Sequence, residues 1–182
     1  MALLLYGLGL SAFFIIPIVQ PSLASTIHEP RTVLAIEICK KTSNYTFCVE
    51  SLYADPRTPN ADRYTLAYIT FGLAYVNATA TQDYIAQLLK KKAGHEHDRK
   101  QRLRRCQRDY NKAVSSLEAA YNDLNSETFF ELADLAGDAA RSSKDCQAAF
   151  NGTHYHPLGS RNRDLKGLCE ICVVVSKLFT GT

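Results

Sequence analysis

The chain has 182 residues, 21 Lys and Arg against 18 Asp and Glu, a formal net charge of +3, six cysteines and no tryptophan. That length suits one domain. The small basic excess is too weak to imply a polyanion partner by itself.

No Lys, Arg, Asp or Glu precedes Glu29, and Leu3 to Val19 is almost wholly apolar. Gln20-Pro21-Ser22-Leu23-Ala24 then offers small residues where a signal peptidase reads, so residues 1–24 are expected to be a secretory signal and 25–182 the mature domain. The alternative, an uncleaved anchor, is disfavoured because the run is short for a span and Pro17 and Pro21 interrupt it. No later segment is apolar enough to cross a bilayer, so no membrane association is expected after cleavage. In an oxidising compartment paired thiols staple a fold. Three sequons fit the same route: Asn44-Tyr45-Thr46, Asn77-Ala78-Thr79 and Asn151-Gly152-Thr153 mark Asn44, Asn77 and Asn151 as glycan acceptors.

Residues 32–54 read as a small helical hairpin, with Cys39 and Cys48 bracketing its bend at Ser43-Asn44, a spacing that suits a local clip. Asp55-Pro56-Arg57-Thr58-Pro59-Asn60 stops it. Four amphipathic helices are expected over 60–180. The first runs from Asn60 or Ala61 to about Ala93, with a seam of Leu66, Ile69, Leu73, Val76 and Ala80 that slips before Ile85 and Leu88. Lys90, Lys91 and Lys92 complement the dipole of its last turn, and Gly94 ends it. The second starts near His97-Asp98 with the cleanest seam: Leu103, Cys106, Tyr110, Val114, Leu117, Tyr121 and Leu124. The third follows Asn125-Ser126 and presents Phe129, Leu132, Leu135, Ala136, Ala139, Ala140 and Cys146. After a loop over Asn151 to Ser160, the fourth carries Leu165, Leu168, Cys172, Val175 and Phe179. This pattern describes an all-α, up-down-up-down four-helix bundle with an N-terminal helical hairpin; nothing favours a sheet.

Cys106 and Cys146 lie about equally far from the Asn125-Ser126 junction, so an αα-hairpin brings both sulfurs to one height, where a disulfide can close. Cys169 and Cys172 form a CxxC on one helix face, without the βαβ setting of a redox motif. Two buried reduced thiols come first, a local or intermolecular bridge second and redox catalysis third.

No GxSxG, phosphate-binding glycine loop, HExxH or EF-hand loop occurs. The pairs His95/His97 and His154/His156 lack a third ligand at a defensible spacing, so no metal and no cofactor are expected. No constellation suits acid–base or nucleophilic catalysis. The run Arg99-Lys100-Gln101-Arg102-Leu103-Arg104-Arg105 is the strongest charge feature; Leu103 and Cys106 show that one side of it is core, and secretion argues against nucleic acid. A solvated basic face is the default reading, with an acidic polysaccharide or acidic enzyme surface as its partner.

Together, Asn44-Tyr45-Thr46-Phe47-Cys48 after Cys39, Ser51-Leu52, Asp55-Pro56, Cys106-Gln107-Arg108-Asp109-Tyr110, Leu117, Asp145-Cys146 and Phe150 resemble the plant invertase inhibitor and pectin methylesterase inhibitor family over essentially the whole mature chain. The resemblance implies the same bundle, the pairings Cys39–Cys48 and Cys106–Cys146, secretion to the cell wall or vacuole, and inhibition without chemistry, by docking over the cleft of a carbohydrate-processing enzyme. Pectin methylesterase is the expected partner and invertase the alternative. Some invertase inhibitors carry Pro-Lys-Phe between the second and third bundle helices, where this chain has Ser126-Glu127-Thr128-Phe129-Phe130; the segment Asn44 to Thr58, by contrast, is similar to pollen-type invertase-inhibitor-like proteins. Exposed polar positions on those two helices, Arg105, Arg108, Glu127 and Glu131, are the expected contacts. A non-inhibitory binding module on the same bundle is the reading from another class.

Overall fold

A computed structural model describes residues 33–90 and 96–181. The expected signal at 1–24 lies outside the described residues, as do Lys91, Lys92, Gly94 and His95. Six α-helices follow in order: α1 (Leu34–Cys39), α2 (Tyr45–Tyr53), α3 (Arg63–Lys90), α4 (Glu96–Asn125), α5 (Leu132–Ala148) and α6 (Gly159–Thr180), with a 3₁₀ turn at Thr58–Asn60. No strand occurs among the described residues.

Local chemistry explains the boundaries. Asn44 caps α2, its Oδ1 accepting the Phe47 N–H at 3.1 Å, and Asp62 does the same for Thr65 at 2.7 Å ahead of α3, each satisfying a first-turn donor. In the connection, Asp55 receives the Arg57 guanidinium at 2.6 Å. Hydrogen bonds from Arg57 hold the Asp55 carboxyl at about 2. Gly181 ends α6 with φ +69°, a left-handed C-cap that glycine adopts without Cβ strain.

Helices α3 to α6 pack in a closed cycle, each on its sequence neighbour and α3 on α6. The α4 seam is buried as expected from Leu103 through Leu124, with Tyr121 half-buried. On α3 the expected seam is corrected. Val76 is 64% exposed and Ala80 is exposed. Leu66, Ile69, Ile85 and Leu88 are buried as expected, but the continuous buried line along the helix runs Ala67, Phe71, Ala74, Ala78, Thr81, Ile85 and Leu88. Those positions alternate fours and threes without a slip, and at mid-helix the line is made of the small residues Ala74, Ala78 and Thr81. Close approach explains them. At Gly72, an added Cβ would lie 2.7 Å from the Tyr121 hydroxyl oxygen of α4.

Inside the bundle, the Tyr110 hydroxyl donates to Asn162 Oδ1 (2.8 Å) and Asn162 Nδ2 donates to Gln147 Oε1 (2.9 Å). This chain links α4, α6 and α5, and it satisfies groups that would be costly to bury unpaired. Desolvation pushes the Tyr110 phenol well above its ordinary value, so it stays a neutral donor.

Candidate interaction surface

The two arms α4 and α5 are joined by the Cys106–Cys146 disulfide, with Cα atoms 4.4 Å apart and both residues fully buried. Its loop of about 40 residues corresponds to roughly 4 kcal/mol of loop-entropy stabilisation. Outside this clamp, α4 shows a cationic face. Arg102 Nε donates to Asp98 Oδ2 at 2.9 Å, while its Nη1 donates to the Ala149 carbonyl at 2.5 Å. Arg99 donates to the Tyr155 hydroxyl and lies 4.3 Å over that ring. Arg105 and Arg108 stay exposed and border a shallow groove with Gln101 and Asp98. A second groove between α4 and α5 is bordered by Lys112, Ser115, Arg141 and Asp145. Asp109 sits beside these grooves, 7% exposed, with Oδ2 buried and without a partner. Burial raises its pKa; Asp145 adds to the rise, and Lys112, Arg105 and Arg108 oppose it.

The α4–α5 turn is built differently. The Glu127 N–H bonds to the Leu124 carbonyl (3.3 Å) and the Thr128 N–H to the Asp123 carbonyl (2.9 Å). This is the paired pattern of a Schellman motif, with Glu127 at the left-handed position usually held by glycine. Its φ is +54°, a conformation that costs an L-residue on the order of 1 kcal/mol. Phe129 turns inward and stacks on Phe179 at 4.3 Å, with Tyr64 at 5.8 Å. Phe130 points out, 86% exposed. Glu131 follows as the exposed N-cap residue of α5. The four expected contacts therefore fall into two groups. Arg105 and Arg108 lie on the first half of α4, whereas Glu127 and Glu131 flank Phe130 about 25 Å further along the helix, by its rise per residue.

A third feature seats the N-terminal hairpin. Cys39 and Cys48 are disulfide-bonded, and the bend between them meets α6. Glu170 accepts the Ser43 N–H and hydroxyl, each at 2.7 Å. The Phe47 ring lies so close to Gly167 that an added Cβ would be 2.5 Å from it. Neither the exposed Phe130 nor the Ser43–Glu170 pairing was expected from sequence. The expected stripe already includes Phe129, which does pack inward, but it says nothing of how far Phe130 projects, and residues 127 apart carry no shared local signal.

Cys169 and Cys172 are unbridged and buried in the α6 core face. Desolvation pushes Cys169 up to about 12 and Cys172 well above its ordinary value. Both remain thiols rather than nucleophilic thiolates. His97, His154 and His156 are exposed, and among the described residues no three His, Cys, Asp or Glu side chains converge as a metal site. Of the sequon residues, Asn44 and Asn151 are exposed, in the hairpin bend and the α5–α6 loop. Asn77 lies within α3 with its Oδ1 buried and unpartnered. No described helix is long and apolar enough to cross a membrane.

Known proteins share this architecture and sequence. The family model for plant invertase/pectin methylesterase inhibitors matches residues 34–175. A pectinesterase inhibitor of Actinidia deliciosa is 31% identical over 182 residues, covering 98% of this chain and 95% of that protein. A cell wall/vacuolar inhibitor of fructosidase from Arabidopsis thaliana is 34% identical over 176 residues, covering 93% and 96%. In fold, the chain is similar to a crystal structure of a mutant pectin methylesterase inhibitor from Arabidopsis, with TM-score 0.70 and 23% identity over 78% of this chain and 93% of that one. With its helices, both bridged cysteine pairs and nearly all of its described length accounted for, the chain belongs to the plant invertase/pectin methylesterase inhibitor family, a family of inhibitor proteins rather than enzymes.

Proposed function

We propose that this chain is a secreted inhibitor of pectin methylesterase that blocks the enzyme by covering its active-site cleft with the outer face of α4 and α5. The observation that carries the choice of target is the α4–α5 turn. It reads Ser126-Glu127-Thr128-Phe129-Phe130 where some invertase inhibitors have Pro-Lys-Phe. A relative named as a pectinesterase inhibitor along nearly the whole chain supports the same choice. The invertase reading keeps one specific support, the equally extensive relative named as an inhibitor of fructosidase.

Inhibition of this kind needs a rigid surface and no reacting group. The buried α4–α5 clamp supplies rigidity, so side chains on the outer face lose little further freedom on docking. Arg105 and Arg108 at one end, and Glu127 and Glu131 at the other, are the proposed contacts; rim charges of this type set association rate and salt dependence more than final affinity. Secretion to the cell wall is the proposed location, with the vacuole as alternative. Glycans are proposed at Asn44 and Asn151 before Asn77, whose amide oxygen is buried.

Parallel titration of the purified oxidised protein against pectin methylesterase and invertase at acidic pH tests the reading. Stoichiometric loss of methylesterase activity with invertase untouched is the expected result. Loss of invertase activity alone would transfer the assignment to the second target, and activity of both enzymes throughout would leave a non-inhibitory binding module.

A further inference from the structure

The cationic stripe on α4 is not consumed by the fold. Between Asp98 and Glu118, the exposed residues of α4 are Gln101, Arg104, Arg105, Arg108, Asn111, Lys112 and Ser115, with no acid among them. The only carboxylate in that interval is Asp109, which is turned inward and 7% exposed. Arg99 and Arg102 are held by Tyr155, Asp98 and the Ala149 carbonyl, whereas no hydrogen bond or ion pair engages Arg104, Arg105, Arg108 or Lys112 among the described residues. Across the groove, Arg141 is paired with Asp138 at 3.4 Å. Two acids border the groove that Lys112 lines, Asp138 and Asp145, and Asp138 is the one paired with Arg141.

Geometry narrows the ligand. Gln101, Arg105, Arg108 and Lys112 fall within one narrow arc of the helix, opposite the Cys106 and Tyr110 seam, and successive members are separated along the axis by about 4.5 to 6 Å. That step is comparable with the length of one sugar residue in an extended chain. A linear polyuronate carries one carboxylate per sugar at this repeat. Arginine pairs a planar carboxylate through two parallel N–H donors, and Gln101, Asn111 and Ser115 add neutral donors and acceptors for hydroxyl groups. The face has no exposed aromatic residue within the stripe on which a nucleic-acid base would stack.

We propose that Arg105, Arg108 and Lys112, flanked by Arg104 and Gln101, form a binding site for a linear polyuronate such as de-esterified pectin. Binding is electrostatic and multivalent, and stands whichever enzyme the chain inhibits. Its consequence for the methylesterase reading is separate: carboxylates are what that enzyme uncovers on pectin, and because Arg105 and Arg108 are also proposed enzyme contacts, de-esterified chains and the enzyme would compete for them.

Binding of the full oxidised protein to galacturonate oligomers, to the same oligomers fully methyl-esterified, and to a DNA oligonucleotide of matched charge tests the site. The acidic oligomers should bind, and raising salt from about 0.05 M to about 0.5 M should weaken binding by at least about tenfold. The esterified oligomers should not bind. The triple variant R105Q/R108Q/K112Q should lose about tenfold or more, while K177Q, at the end of α6, should not. Circular dichroism and thermal midpoint establish that each variant is folded, and the single variants R105Q and R108Q provide the same readout if the triple variant is not. Binding of esterified oligomers, undiminished binding by the folded variants, or stronger binding of the oligonucleotide would each overturn the proposal. None of these outcomes depends on enzyme inhibition.

Discussion

The protein contains two helical hairpins, each closed by one disulfide, and they are held by different means. In the α4–α5 pair the bridge is buried within long seams of Leu, Tyr and Ala, and the flanking network from Tyr110 to Gln147 ties both arms to α6. The α1–α2 pair is short, and it meets α6 through the Phe47–Gly167 contact and the exposed Ser43–Glu170 hydrogen bonds. A covalent clip therefore does not by itself make a rigid surface. Rigidity follows where the clip lies inside an extended apolar interface, because opening must then expose that interface as well.

The largest effect that separates the two hairpins is expected from Cys106→Ser. Opening this long loop and leaving a polar group in the core should lower stability by about 4 kcal/mol or more, read as a fall in the denaturation midpoint. Loss of inhibition should appear only as the variant unfolds. Cys39→Ser opens a much smaller loop and should cost less, with hydrogen exchange rising first in residues 34–53. Equal costs would remove the distinction.

Next in size is the seat of the short hairpin. Gly167→Ala improves helix propensity by about 1 kcal/mol but drives a methyl group into the Phe47 ring. Hydrogen exchange of α2 should therefore increase while that of α4 and α5 stays unchanged. A uniform change across the bundle would show that the hairpin is not an independent unit.

Asp109→Asn probes the α4 face by pH. Burial raises the Asp109 pKa above its unfolded value, so the folded state holds this proton longer. Its favourable contribution is present below the unfolded pKa and is lost as pH rises through the folded one. The variant should therefore gain stability over the parent at neutral pH, with the difference shrinking as pH falls below the ordinary Asp range. A pH-independent difference would mean that the carboxylate is not the cause.

The smallest effect is expected at Glu127→Gly, which removes left-handed strain from the turn and should raise stability by up to about 1 kcal/mol. Glu127→Ala keeps the strain and should not.

Much of this architecture was legible because large residues mark it. On α4, Leu103, Tyr110 and Leu117 recur at helical spacing beside a cysteine equidistant from its partner about the turn. On α3 the same logic misled, because Ala74, Ala78 and Thr81 make the close contact while the larger Val76 faces outward. Side-chain size reports burial only when helices are far enough apart to admit it. The turn was opaque for another reason. A glycine at position 127 would have announced a left-handed cap, but glutamate carries no such preference; Phe129 packs inward as its place on the stripe implies, while the exposure of Phe130 emerges only from the folded backbone.

The central claim is that a rigid surface blocks an enzyme without reacting with it. Size-exclusion chromatography of this protein with pectin methylesterase, with activity followed across the fractions, tests it most directly. The account predicts an inactive complex of fixed stoichiometry that releases active enzyme and intact, unmodified inhibitor on dissociation. Loss of methylesterase activity without a complex, or recovery of a cleaved or covalently altered inhibitor chain, would contradict it.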